Sequence, residues 1–99
     1  MRNKYRTHNC NELRKKHVDN EVVLSGWINK KRDHGNLLFI DLRDNYGVTQ
    51  CIIDKANSNF KELEKIQLET VIRIEGKVVD RSRETINSEI KTGEIEVGI

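Results

Sequence analysis

Residues 26–54 hold the densest set of side chains that could act together on another molecule. Lys30, Lys31 and Arg32 form a basic run, Phe39 shares a strand phase with Asp41 and Arg43, and Gln50 follows in the next strand-like run. A cation attracts phosphate, a ring offers its face to a base, and an amide gives and takes hydrogen bonds at a base edge. Together they read as a surface for an unpaired stretch of nucleic acid. Phe39 falls in the outer phase, because Leu38, Ile40 and Leu42 fill the alternate positions that a core would take. A base stacked on such a ring is worth ~1–3 kcal/mol. Arg32 stands where its strand feeds a loop beside that face, placed for phosphate or base contact, while Lys30 and Lys31 add field rather than specificity. Gln50 joins Phe39 on one face if their strands pair through the Asn45-Tyr46-Gly47 turn, and Ile52 then extends the apolar platform.

Two further positions complete the set. A carboxylate in a phosphate-binding site is unfavourable unless a donor faces it. Cytosine offers an exocyclic amino group and uracil does not, so Glu96 on this face would select cytosine. The polar stretch 80–92 carries Arg81, Arg83, Asn87 and Lys91 and could close over a bound loop. Each position has a plain structural alternative: Phe39 in a core, Arg32 on a solvated charge run, Gln50 tied to a neighbouring strand, Glu96 on an exposed edge. Other chemistry lacks its residues. His8, His17 and His34 are scattered, and Cys10 and Cys51 lie far apart with no CxxC or Cys/His spacing, so no metal site is expected and the thiols read as reduced. No Ser/His/Asp or Cys/His arrangement and no phosphate-cradling glycine loop occurs, so no catalytic site is expected.

The elements that must position these residues follow from periodicity. At 99 residues the chain is expected to be one domain spanning 1–99. Charged residues make up 34%, and the net charge of +2 is too small to argue for nucleic acid by itself. No apolar run approaches the ~18 residues that a membrane span needs, and the charged start has no apolar segment behind it, so no signal peptide is expected. Asn9 with Glu12 predicts a short helix over 9–18. Alternation predicts strands over 21–32, 37–44, 48–54, 70–79 and 94–97, with a turn at 33–36. Gly26 inside the first strand predicts a close backbone approach, as in a barrel strand that serves two sheet halves. Asn59 with Glu62 starts a second helix, on which Phe60, Leu63 and Ile66 share a face. A helix between the third and fourth of five strands is the layout of the OB-fold, an all-β Greek-key barrel. That fold binds oligonucleotides on its strand 2–3 face, flanked by the loops joining strands 1–2 and 4–5. The chain stops inside a strand-like run, which predicts a piece cut from a longer protein.

The residues also carry a resemblance. The run Gly26–Asp44, the segment Tyr46-Gly47-Val48-Thr49-Gln50, the segment Thr92-Gly93-Glu94-Ile95-Glu96-Val97 and the opening from Tyr5 to Arg14 resemble the N-terminal domain of bacterial-type aspartyl-tRNA synthetases. Single pieces are shared with the related lysyl and asparaginyl enzymes. The resemblance implies an anticodon-binding domain whose parent is a class II synthetase, a cytoplasmic homodimer that joins aspartate to its tRNA using ATP and Mg2+. The catalytic domain would be absent from these residues. By motif, Phe39 would stack on the central uracil of a G-U-C anticodon, Gln50 would read its edge and Arg32 would hold the loop. Glu96 would accept from the third-position cytosine, and Arg81 with the 80–92 loop would approach the first base. Two departures stand out: Ser88 and Lys91 occupy positions where the family commonly has proline, and Ile52 replaces what is sometimes an aromatic. A non-specific single-strand-binding module, the anticodon domain of a related lysyl or asparaginyl synthetase, and an interaction domain using its sheet edge for protein are the competing expectations.

Overall fold

The computed structural model describes residues 6–99, so Tyr5 of the opening motif lies outside the described residues. The order is β1 (Glu21–His34), β2 (Leu37–Arg43), β3 (Val48–Asp54), α1 (Phe60–Lys65), β4 (Val71–Asp80) and β5 (Ile95–Gly98). The strands close into a barrel in the order β1-β2-β3-β5-β4. All neighbours are antiparallel except β3 and β5. This is the expected five-stranded OB-fold with a helix between β3 and β4.

β1 holds the barrel together because it pairs with two partners. Its first half, Glu21–Trp27, lies against β4, and its second half, from Trp27 to His34, lies against β2. The strand must bend sharply where it changes partners. Gly26 sits there, and a Cβ on it would stand 2.3 Å from the carbonyl oxygen of Arg43, so only glycine lets the two backbones approach. Val22, Leu24 and Ile28 point inward, joined by Leu38, Ile40 and Leu42 of β2, Cys51 and Ile53 of β3, Ile74 and Val78 of β4, and Ile95 and Val97 of β5.

The alternation of β1 breaks once. The register with β2 shifts between Ile28 and Lys30, a bulge at Asn29. One extra residue reverses the parity of everything after it. Even positions face inward up to Ile28, whereas Lys30 and Arg32 face outward, opposite Asp41 and Phe39. Lys31 takes the inward phase at the barrel's end. Its Nζ donates to the carbonyls of Leu63 and Glu64, at 3.3 and 2.9 Å, and to that of Ile66. These lie at or just past the end of α1, where unpaired carbonyls attract a cation. Lys31 is therefore a helix cap and not part of a solvent-facing basic field, which corrects the expectation from sequence.

α1 plugs that end of the barrel with Phe60, 4% exposed, while Leu63 and Ile66 pack beside it. Asn59 is its first flanking residue, as expected, but makes no side-chain cap bond. Asn57 organises the entry instead, its Oδ1 accepting from the Asn59 N–H at 2.8 Å and its carbonyl from the Phe60 N–H at 3.1 Å.

The helix expected over 9–18 does not form. The capping bonds are present: the Asn9 N–H donates to Glu12 Oε1 at 3.1 Å, and Asn9 Oδ1 accepts from the Asn11 N–H at 2.9 Å. The turn they start is cut at Arg14, whose backbone is extended, and only a 3-10 turn at Lys15–His17 follows. Tertiary anchors outcompete an isolated helix of this length, which is marginal in water. The Cys10 N–H donates to Asp44 Oδ2, its carbonyl accepts from Thr49 Oγ1, both at 2.8 Å, and Leu13 is fully buried. The turn expected at 33–36 shrinks to Gly35 and Asn36, because β1 runs on to His34. Cys10 and Cys51 are free and buried, and burial pushes both thiol pKa values far up. Among the described residues, no helix is long and apolar enough to cross a membrane.

Candidate nucleic-acid interface

On the outer face of β1–β3 lies an open cavity of about 570 Å³. β1 contributes Asn29, Lys30, Arg32 and His34; β2 contributes Leu37, Phe39 and Asp41; β3 contributes Val48 and Gln50. The connection from β4 to β5 forms the far wall with Arg81, Glu84, Thr85, Asn87 and Ile90. The hairpin through Asn45-Tyr46-Gly47 sets the register Phe39 to Ile52 and Asp41 to Gln50, so Gln50 does share the face of Phe39.

Phe39 is partly exposed and lies outside the core cluster. The His34 ring meets it edge-on, with centroids 5.2 Å apart and planes at 87°. That contact steadies the ring and leaves room for a planar partner.

Four polar side chains form one hydrogen-bonded chain beside it. Arg32 Nη2 donates to Gln50 Oε1 at 2.8 Å and lies 3.4 Å from Asp41 Oδ1. Gln50 Nε2 donates to Glu96 Oε1 at 2.7 Å. Gln50 is only 3% exposed, so its amide needs both partners, and both bonds involve a charged group, the stronger kind. Arg32 stays half exposed, with its side chain at 50%, and can turn toward an arriving phosphate.

The wall loop is pinned at several points. Arg81, 8% exposed, donates from Nε to the Ile95 carbonyl at 2.9 Å and from Nη1 to the Thr85 carbonyl at 2.8 Å. Burial lowers its pKa, with Glu96 and Asp41 opposing, and an arginine remains charged at neutral pH. Thr92 Oγ1 donates to the Val48 carbonyl. Asn87 and Gly93 close the loop through an N–H to carbonyl bond of 3.0 Å, and a Cβ on Gly93 would fall 1.7 Å from the Asn87 oxygen. These bonds order the loop without the two family prolines.

The sequence-predicted residues thus converge. Arg32, Phe39, Gln50, Arg81 and Asn87 line the cavity. Glu96 reaches it through Gln50, and Ile52 lies beside Phe39 in register but not on the cavity wall. Asn29, His34, Asp41 and Ile90 also line it and were not singled out. The signal for Ile90 was its being apolar in a polar loop. His34 depends on the bulge, which alternation alone does not reveal, whereas Asn29 lies in the outer phase that alternation already gives it.

A planar shelf, a cation, a polarised amide and a carboxylate on the β1–β3 face of an OB barrel suit single-stranded nucleic acid. Residues 22–97 match the tRNA anti-codon family, described as an OB-fold nucleic acid binding domain. The chain belongs to that family. The aspartate–tRNA(Asp/Asn) ligase of Pelagibacter ubique is 73% identical over 97 residues, covering 98% of this chain and 16% of that protein. The ligase of the same name from Zymomonas mobilis is 52% identical, covering 94% and 16%. This domain therefore spans about one sixth of the curated relatives it matches. In fold it is similar to asparaginyl-tRNA synthetase from Pyrococcus horikoshii, with a TM-score of 0.75 at 23% identity over 92% of this chain and 20% of that one. It is likewise similar to OBody AM2EP06 bound to hen egg-white lysozyme, with a TM-score of 0.78 at 20% identity, covering 99% and 91%.

Proposed function

We propose that this OB-fold domain binds the anticodon loop of tRNA on the outer face of β1–β3, as the anticodon-binding part of an aspartate–tRNA ligase. The observation that carries the reading is the position of Phe39, outside the core and on the wall of a cavity shared with Arg32 and Gln50. The central base of a G-U-C anticodon would stack on Phe39, with its edge at Gln50. Arg32 and Lys30 would meet phosphates, Glu96 would accept from the third base, and Arg81 and Asn87 would face the first. Ile52 would extend the apolar shelf beside Phe39.

The whole protein would be a cytoplasmic homodimer that activates aspartate with ATP and Mg2+. Among the described residues, none form a set of three His, Cys, Asp or Glu side chains able to hold a metal, and both groups would belong to the catalytic part of that ligase. The relatives' names include both aspartate and asparagine tRNAs, and this favours a graded third-base preference. Aspartate and asparagine anticodons differ there, cytosine against uracil. Glu96 can accept from the cytosine amino group or, with a shift of the base, from uracil N3–H. Cytosine would be preferred by about one hydrogen bond, ~1 kcal/mol, and uracil still admitted.

Binding of RNA hairpins that carry G-U-C, or the same loop with its middle base changed, tests the reading. A middle-base change is expected to weaken binding by ~1–3 kcal/mol. Equal binding of all loops would indicate a non-specific single-strand binder. Affinity that does not fall with added salt would reject both RNA readings, since phosphate contacts release counterions.

A further inference from the structure

We propose that Glu96 sets the base preference of Gln50, and so helps choose the central base as well as contacting its own. The inference rests on the anticodon reading above. A glutamine amide carries a donor at one end and an acceptor at the other, and turning it by half a revolution exchanges them. Uracil presents N3–H beside a carbonyl, whereas cytosine presents a bare N3 beside an amino group, the opposite order. A free amide would turn to suit either pyrimidine. Gln50 is not free. A guanidinium can only donate and an ionised carboxylate can only accept, so Arg32 at 2.8 Å fixes the oxygen end and Glu96 at 2.7 Å fixes the nitrogen end.

The two locks are unequal. Arg32 is half exposed and shares Nη2 with Asp41 at 3.4 Å, so an arriving phosphate competes for it. Glu96 makes the shorter bond and, being anionic, is not drawn to phosphate. While RNA is bound, Glu96 therefore does more than Arg32 to keep the amide in one direction. Glutamine at position 96 could offer its own N–H, which lets the Gln50 amide turn.

A hairpin whose third anticodon position is abasic isolates this effect, because Glu96 then has no base of its own to read. Its affinity with uracil or cytosine in the middle would be measured for the unaltered 99-residue chain and for Glu96→Gln. The unaltered chain is expected to keep its preference for uracil, and Glu96→Gln to lose about fivefold or more of it, the equivalent of one hydrogen bond. Glu96→Asp keeps the charge but withdraws it from the amide, and is expected to behave likewise should Glu96→Gln fold poorly. A uracil preference unchanged by both substitutions overturns the proposal. So does loss of the preference in the unaltered chain on the abasic loop, since the lock needs no third base. If the unaltered chain shows no middle-base preference even on the intact G-U-C loop, the anticodon reading itself fails.

Discussion

Replacing Phe39 with alanine separates a binding shelf from a core residue, because the two roles carry different energies. A Phe buried in the core costs about 3–5 kcal/mol when cut to Ala. Phe39 is only partly buried, and its visible contacts are the edge-on His34 ring and its cross-strand neighbours Arg32 and Ile52. An aromatic pair of that kind is worth ~0.5–1.5 kcal/mol and a cross-strand pair ~0.2–1 kcal/mol. Phe39→Ala should therefore lower stability by about 1–3 kcal/mol. For a domain of this size each kcal/mol moves Tm by roughly 4–8 °C. Affinity for a G-U-C hairpin should fall by ~1–3 kcal/mol, the value of one stacked base. Phe60→Ala is the matched control, since Phe60 is 4% exposed in the core and should lose the full 3–5 kcal/mol. Denaturant unfolding and fluorescence anisotropy at one fixed salt concentration give both quantities. A stability loss for Phe39→Ala as large as for Phe60→Ala, with unchanged RNA affinity, would refute the assignment.

Other consequences are checked by simpler measurements. Lys31→Met removes the donor to the carbonyls around the end of α1 and should cost about 1–2 kcal/mol of stability. Lys30→Met should leave stability unchanged and reduce the salt dependence of RNA binding by about one phosphate contact; equal stability of the two variants would remove Lys31 from its capping role. Burial holds the thiols of Cys10 and Cys51 neutral in the folded chain. Above the ordinary thiol pKa of 9.0 only the unfolded chain gives up these protons, so the thiols' contribution to stability is complete below that pH and shrinks as pH rises past it. Urea midpoints for the unaltered chain and for a double Cys→Ala variant should diverge less as the buffer moves from neutral pH to pH values above 9.0; a constant difference would contradict this.

Much of the barrel was legible because a half-buried strand writes its two faces into alternate residues. The runs 37–44 and 48–54 show this plainly, and their shared hairpin places Phe39 and Gln50 together. Gly26 was legible for a similar reason, since a glycine amid β-branched and aromatic residues marks a backbone contact. The N-terminal helix was misleading because its capping signal is local and real, while the bonds that override it come from Asp44 and Thr49, more than 30 residues away in sequence. The bulge at Asn29 left no mark in composition. Strict alternation would have sent Arg32 inward, and only the register shift explains how it faces the cavity while Lys31 caps a helix. Arg81 reads in sequence as a base contact, yet two of its donors are spent on the Ile95 and Thr85 carbonyls.

The most direct test places a photoreactive base where the shelf should be. An RNA hairpin with 5-iodouridine at the middle anticodon position, irradiated on this domain and mapped by mass spectrometry, should form its adduct at Phe39. An adduct at Trp27 or Tyr46 with none at Phe39 would show that the central base rests elsewhere.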